Sequence, residues 1–125
     1  MILVDTSVWV DHLRAGDKQL AELLERGAVY MHPFVLGEIA CGSLVDRALI
    51  LDLLRDLPMA VVATSEEVLE FIERRELHGK GIGYVDAHLL ASAALSAGTT
   101  LWTRDKRLRA AAEAQDCDYP DTSAH

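Results

Sequence analysis

The sequence is poor in the residues that mark several common classes of protein. Its 125 residues include only two cysteines, Cys41 and Cys117, which fit neither a disulfide framework nor a zinc motif. We interpret both as buried or incidental thiols in a reducing cytoplasm. The five histidines include no HExxH motif and no close pair, so a zinc site built from histidines is not expected.

Long apolar runs and a basic leader are also missing. No stretch of about 18 uninterrupted apolar residues is present, so we expect no membrane span. No basic residues precede the first apolar stretch, and Asp5 interrupts it, which argues against a signal peptide. These features together predict a cytoplasmic protein.

Positive charge is in deficit, with 12 Lys and Arg against 20 Asp and Glu and a net charge of −8. A general nucleic-acid coat protein gains affinity by matching phosphates with Lys and Arg, so the deficit disfavours that class. It does not exclude an enzyme that acts on nucleic acid. In such an enzyme a bound metal and a small basic patch supply positive charge locally.

Half of the residues are apolar, which provides for a full core, and the length favours a single domain, 1–125. We expect residues 116–125 to be a loose polar tail. Strand-like and helix-like segments alternate, which predicts an α/β fold with a central parallel sheet of four to five strands flanked by helices. The predicted strands are 2–4, 28–31, 59–63 and 99–103; the predicted helices are 7–14, 17–26, 33–42, 44–54, 64–77, a helix from Asp86 to Gly98, and 105–114.

Four acidic residues stand where the chain changes from one predicted element to another: Asp5, Glu38, Asp86 and Asp105. Ligands of parallel sheets bind beyond the carboxyl ends of the strands, where Asp5 and Asp105 are expected. Asp86 lies near a helix N-terminus and can point to the same edge. Gathered carboxylates repel one another, and a divalent metal neutralises several at once. Mg²⁺ and Mn²⁺ prefer such hard oxygen ligands, and a metal-bound water can attack phosphorus.

At these residues the chain resembles the PIN-domain ribonucleases, and within them the VapC toxins of bacterial toxin–antitoxin pairs. The resemblance lies in residues 4–7, Glu38, residues 86–95 and residues 101–108, and it spans nearly the whole chain. It implies Mg²⁺ or Mn²⁺ held by the acidic cluster and endonucleolytic cleavage of RNA, often structured RNA such as tRNA or rRNA. It likewise implies a homodimer and inhibition by a small cognate antitoxin protein.

The resemblance carries a catalytic role over to all four acids. Our hypothesis is that Asp5, Asp86 and Asp105 hold the metal, directly or through water, while Glu38 positions or deprotonates the attacking water. The supporting polar residues would be Thr6, Ser7 and Thr103, for which helix capping is the alternative. Candidates for contact with RNA phosphates are Arg104, Lys106 and Arg107, for which a solvated helix face is the alternative. The chain departs from many relatives near Arg107, where they carry a further acid.

Each of the four acids also has an alternative role that needs no metal. Asp5, Asp86 and Asp105 can be helix caps or favourable charges at helix N-termini, and Glu38 can be an ordinary exposed acid. The whole chain can be a non-catalytic PIN-like scaffold that binds a partner. An aspartyl phosphatase fits less well, because its second Asp is replaced here by Ser7.

The helices 7–14 and 44–54 carry more apolar residues than one buried face needs, which predicts an apolar groove for a partner. The resemblance suggests that a segment of the antitoxin fills this groove and sets a basic side chain into the acidic pocket.

Overall fold

The structure is a computed structural model and describes residues 1–122. Within that range it shows the expected α/β architecture, a parallel sheet flanked by seven helices. The strands are β1 (Ile2–Val4), β2 (Val29–Tyr30) and β3 (Thr100–Trp102). The helices are α1 (Thr6–Ala15), α2 (Lys18–Glu25), α3 (Pro33–Ala40), α4 (Arg47–Arg55), α5 (Ser65–Arg74), α6 (Tyr84–Ala94) and α7 (Lys106–Ala114).

The first strand of the chain is the central strand of the sheet, in the order β2-β1-β3. Leu3 pairs with Leu101, and Val4 pairs with Trp102. All four side chains are buried, because helices cover both faces of a parallel sheet. This explains why β1 is wholly apolar and not alternating. Both parallel neighbours run in the same direction as β1, so the chain leaves β1 and β3 at one common edge.

The sheet is smaller than the predicted four to five strands, and the prediction of a strand at 59–63 is wrong. Within residues 1–122, this segment makes only an isolated bridge between Met59 and Met31. The Ala60 amide donates to the Met31 carbonyl at 2.7 Å, but the chain then leaves the sheet, and Val61 is 70% exposed. The neighbouring strand β2 is only two residues long, because Pro33 begins a helix soon after it. Val61 and Val62 therefore have no further residues of β2 with which to pair.

The prediction of a loose tail is wrong for residues 116–122, whereas residues 123–125 lie outside the described residues. The Leu101 amide donates to the Cys117 carbonyl at 2.7 Å, and the Tyr119 amide donates to the Leu101 carbonyl at 2.9 Å. The Tyr119 ring also packs on Trp102, with ring centroids 5.5 Å apart. The segment binds here because the outer edge of β3 would otherwise leave backbone groups unpaired.

Local signals at the helix starts agree well with the structure. The capping box of Thr64 and Glu67 is present, with hydrogen bonds of 2.9 and 3.1 Å in the two directions. Helix α1 begins one residue earlier than predicted and is capped by Asp5, not by Thr6 or Ser7. Helix α6 is buried over the seven residues from 87 to 93, which is typical of a helix that is apolar on all sides. Its burial fixes the position of Asp86 in its first turn.

Two further observations concern the helices and the cysteines. No helix within residues 1–122 is both long and apolar enough to cross a membrane. Both cysteines are free thiols, with Cys41 exposed and Cys117 buried.

Candidate functional site

Asp5 is a buried carboxylate at the end of the central strand, with 6% of its surface exposed. Its Oδ2 atom accepts hydrogen bonds from the Ser7 hydroxyl at 2.7 Å and from the Thr103 hydroxyl at 2.8 Å. The capping bond from the Ser7 amide is longer, at 3.4 Å. Helix capping is therefore a minor part of what holds this carboxylate. The two hydroxyl groups orient it.

The same two hydroxyl groups connect the ends of β1 and β3. The Ser7 Oγ atom accepts from the Arg104 amide at 3.0 Å, and the Thr103 Oγ1 atom accepts from the Asp105 amide at 3.1 Å. A hydroxyl that donates its one proton to Asp5 still has lone pairs for these amides. The network thus fixes the chain leading to Asp105 relative to Asp5, across 98 positions of sequence.

Asp105 and Asp86 both lie at the start of a helix. The Oδ1 atom of Asp105 accepts from the amides of Arg107 and Leu108 at 3.0 and 2.9 Å and caps α7. The Oδ2 atom of Asp86 accepts from the Gly83 amide at 3.3 Å, in the first turn of α6. The positive end of a helix dipole stabilises a carboxylate at such a place. Asp86 and Asp105 therefore do stabilise the starts of their helices, as the alternative interpretation proposed. This role also places both carboxylates toward the edge of the sheet where β1 and β3 end.

Glu38 is exposed on α3 and lies next to α1. Its Oε1 atom accepts a hydrogen bond of 2.6 Å from the Thr6 hydroxyl. Of the three predicted supporting residues, Ser7 and Thr103 therefore contact Asp5, whereas Thr6 contacts Glu38.

The other three carboxylates lie close enough to Asp86 to affect its pKa. Burial raises the pKa of Asp86, the Gly83 amide opposes this shift, and the charges of Asp5, Asp105 and Glu38 each raise the pKa further. Among residues 1–122, none of the four acids forms an ion pair with Lys, Arg or His. Four carboxylates without a cation are costly, one of them in a buried position. The arrangement therefore favours binding of a positive charge.

The cluster is not closed around a metal-sized space. Within the described part of the chain, no group of three or more Asp, Glu, His or Cys side chains is arranged to hold a metal ion. Each carboxylate is instead oriented by hydroxyl groups or backbone amides. The donors are nevertheless hard oxygen atoms, and Mg²⁺ commonly binds through one or two carboxylates while it keeps several waters. The donor set fits such an ion without a complete protein cage.

The structure separates the three predicted RNA-contacting residues. The Arg104 guanidinium binds three carboxylates at 2.5–2.8 Å, and its side chain is only 13% exposed. These partners are Asp11, Asp17 and Asp121. Burial lowers the pKa of Arg104, but the three carboxylates outweigh it and raise the pKa. We therefore do not assign Arg104 to RNA, whereas Lys106 and Arg107 are exposed on α7.

Two buried histidines lie on or beside the helices that bear Glu38 and Asp86. His32 caps α3, its Nδ1 atom accepting from the Phe34 amide at 3.0 Å. The Phe34 ring packs edge-on against His88 of α6, with centroids 4.6 Å apart. Burial lowers the pKa of His88, and burial together with His88 lowers the pKa of His32 to about 4. The two neutral rings pack α3, which bears Glu38, against α6, which bears Asp86.

The predicted apolar groove is present beside the acids. It has a volume of about 610 Å³ and lies between α1, α3 and the segment leading into α4. Glu38 lies at one side of the groove, which connects it to the acidic cluster. Its apolar lining consists of Val10, Leu13, Ile39, Leu44, Val45 and Ile50.

Residues 2–114 match the PIN domain family. The chain belongs to this family. Ribonuclease VapC32 of Mycobacterium tuberculosis is similar to it in two strains, CDC 1551 / Oshkosh and H37Rv. In each strain the identity is 55% over 111 residues, which covers 89% of this chain and 90% of the relative. These similarities confirm the resemblance to the VapC family, and all four acids of this PIN domain lie in the matched range.

Proposed function

We propose that this PIN domain is the toxin of a type II toxin–antitoxin pair, a Mg²⁺- or Mn²⁺-dependent endoribonuclease that hydrolyses phosphodiester bonds in structured RNA such as tRNA or rRNA. The observation that carries the proposal is the group of four carboxylates, without a cation partner among residues 1–122, beyond one edge of a parallel sheet. Strong similarity to proteins named as ribonucleases supports it. The reaction would take place in the cytoplasm, where these RNAs lie.

In the proposed mechanism Asp5, Asp86 and Asp105 are the residues that would hold the ion, directly or through water. When bound, the ion offsets negative charge on the phosphate and lowers the pKa of water. The Ser7 and Thr103 hydroxyls hold the Asp5 carboxylate in one orientation. Glu38, oriented by Thr6, binds the attacking water and accepts its proton at a carboxylate oxygen.

The test is cleavage of total RNA by the purified protein with Mg²⁺, with Mn²⁺ and with excess EDTA. We expect cleavage with either ion and loss to background with EDTA, because the carboxylates alone repel the phosphate. Sequencing of the new RNA ends then identifies the substrate and the cleavage position. Unchanged cleavage in EDTA would contradict the metal requirement. Release of phosphate from a phosphomonoester without RNA cleavage would instead support the phosphatase.

The proposal includes two protein partners. A small cognate antitoxin would place apolar side chains in the groove and a Lys or Arg in the acidic pocket, where that cation competes with the metal. The second partner is another copy of the chain. The resemblance to the VapC toxins implies this homodimer, and light scattering measures its mass.

We expect Val10→Glu to weaken binding of the cognate antitoxin by at least about 10-fold, because it places a carboxylate in the apolar groove. Val10 is 49% exposed, so the fold tolerates this charge. Leu95→Glu is the matched control, since Leu95 is similarly exposed, at 56%, and lies outside the groove. Equal loss of binding in both variants, measured by calorimetry, would exclude the groove as the docking site.

A further inference from the structure

Gly81 and Arg107 are in unusually close contact in front of α6. Gly81 has φ +76°, and a Cβ atom built on it would lie 2.7 Å from both Cδ and Nη1 of Arg107. Real side chains essentially never approach so closely. The Arg107 side chain therefore occupies space that exists only because residue 81 lacks a side chain.

This contact places a cation between two segments of the acidic site. The Arg107 amide donates to Asp105 at the start of α7. Gly81 lies two residues before Gly83, whose amide donates to Asp86. The Arg107 side chain therefore extends from the segment that bears Asp105 to the segment that bears Asp86.

The positive charge of the Arg107 guanidinium is not neutralised by an ion pair within residues 1–122. Among residues 1–122, Arg107 forms no ion pair within 4.0 Å, in contrast to Arg104, which binds three acids. Its donors thus stay available for a ligand. A guanidinium presents a planar fork of N–H groups, which matches two oxygen atoms of a phosphate.

We propose that Arg107 binds a phosphate of the RNA strand at the acidic cluster and that Gly81 is the positioning residue that admits its side chain. This inference rests on the proposed function and adds a residue to it. A strand that approaches four carboxylates on a chain of net charge −8 is repelled, and Arg107 offsets the repulsion at the point of contact. The contact is made in the bound complex as well as during cleavage, so its loss raises KM more than it lowers kcat.

The test uses two glycines of the same loop. Gly79 has φ +71°, so alanine at 79 or 81 imposes similar backbone strain, but no described atom lies within 4 Å of the Cβ position at Gly79. We expect Gly81→Ala to raise KM for RNA about 10-fold, the scale of one hydrogen bond to a charged group. Gly79→Ala should change KM less than about 2-fold. Circular dichroism verifies that both variants are folded.

Variants of Arg107 show whether Gly81→Ala raises KM by displacing the Arg107 side chain. Arg107→Ala should raise KM about 10-fold, and adding Gly81→Ala to it should then raise KM no more than Gly79→Ala does. Arg107→Lys should recover part of the loss, because it keeps the charge without the fork. Equal effects of the two glycine variants, or an unchanged KM in Arg107→Ala, would overturn the proposal.

A binding measurement separates this inference from the proposed function. Fluorescence anisotropy with a short single-stranded RNA, at several salt concentrations and without divalent metal, needs no cleavage. We expect the slope of log affinity against log salt to fall by about one in Arg107→Ala. If Arg107→Ala lowers this slope but the wild-type protein does not cleave RNA, the proposed nuclease activity is wrong and the Arg107 site is supported. An unchanged slope beside normal cleavage, or no binding by the wild type, would overturn the Arg107 site.

Discussion

Replacing Asp5 with asparagine will lower the rate of RNA cleavage at least about 100-fold and will leave the fold intact. Loss of a residue that orients a metal ligand already costs about 10- to 100-fold, and Asp5 is proposed as a ligand itself. The amide oxygen of asparagine can still accept from the Ser7 and Thr103 hydroxyls, so the network around Oδ2 is kept.

Asp5→Asn should not lower the thermal stability of the protein, in contrast to its effect on cleavage. Asp5 is 6% exposed and has no cation partner among residues 1–122, so a neutral amide removes the cost of burying a charge. We expect a thermal midpoint equal to or above that of the wild type. Asp56→Asn, at the exposed end of α4, should leave cleavage unchanged. An Asp5→Asn protein that keeps more than a tenth of wild-type cleavage would refute the assignment.

Replacing Arg104 with methionine will lower the free energy of unfolding by about 3–5 kcal/mol, the cost of removing one partner from a buried ionic group. Methionine keeps most of the apolar stem but leaves three carboxylates facing one another without a cation. The side chains of Arg104, Asp17 and Asp121 are only 13%, 11% and 6% exposed, so water cannot screen them well. Urea unfolding at pH 7 measures the difference.

Arg74→Met is the matched control, because Arg74 pairs with Glu70 on the surface, where the two side chains are 70% and 65% exposed. Its cost should stay below about 1 kcal/mol. A similar cost for both arginines would show that the ionic cluster around Arg104 adds nothing beyond a surface pair.

The cost of Arg104→Met should shrink as the pH falls. Burial by itself raises the pKa of Asp17, but the hydrogen bonds from Arg104 and Leu20 outweigh it and lower the pKa from 3.8. This carboxylate therefore stabilises the wild type above its ordinary pKa, and the stabilisation is lost as the pH falls through the lowered value. In the variant the carboxylates repel one another, and protonation relieves the repulsion. A difference between the unfolding free energies of the two proteins that does not narrow as the pH falls below 3.8 would contradict this role of the carboxylates.

The features predictable from the sequence are those that depend on neighbours in the chain. Thr64 and Glu67 are three residues apart, so a capping box can be read from the sequence. The wholly apolar β1 and the acid that follows it likewise predict a buried parallel strand with a carboxylate at its end. The shared edge of the sheet then brings Asp5 and the segment of Asp105 together.

What could not be predicted depends on partners distant in sequence. The strand-like composition of residues 59–63 does not reveal that β2 is too short to pair with them. Arg104 meets Asp11 and Asp17 across 93 and 87 positions, and no local pattern marks those pairs. The same holds for the segment 116–122, since only the fold shows that the outer edge of β3 is available to it.

The order of the strands has a consequence for synthesis of the protein. β1 is synthesised before the two strands between which it lies. Asp5 acquires its hydrogen bond from Thr103 only after the chain has grown by 98 further residues. A nascent chain that has not yet reached Thr103 and Asp105 therefore carries Asp5 without the hydroxyl and the carboxylate that follow β3. The acidic cluster can therefore assemble only after the segment from Thr103 to Asp105 has been synthesised and has paired with the end of β1.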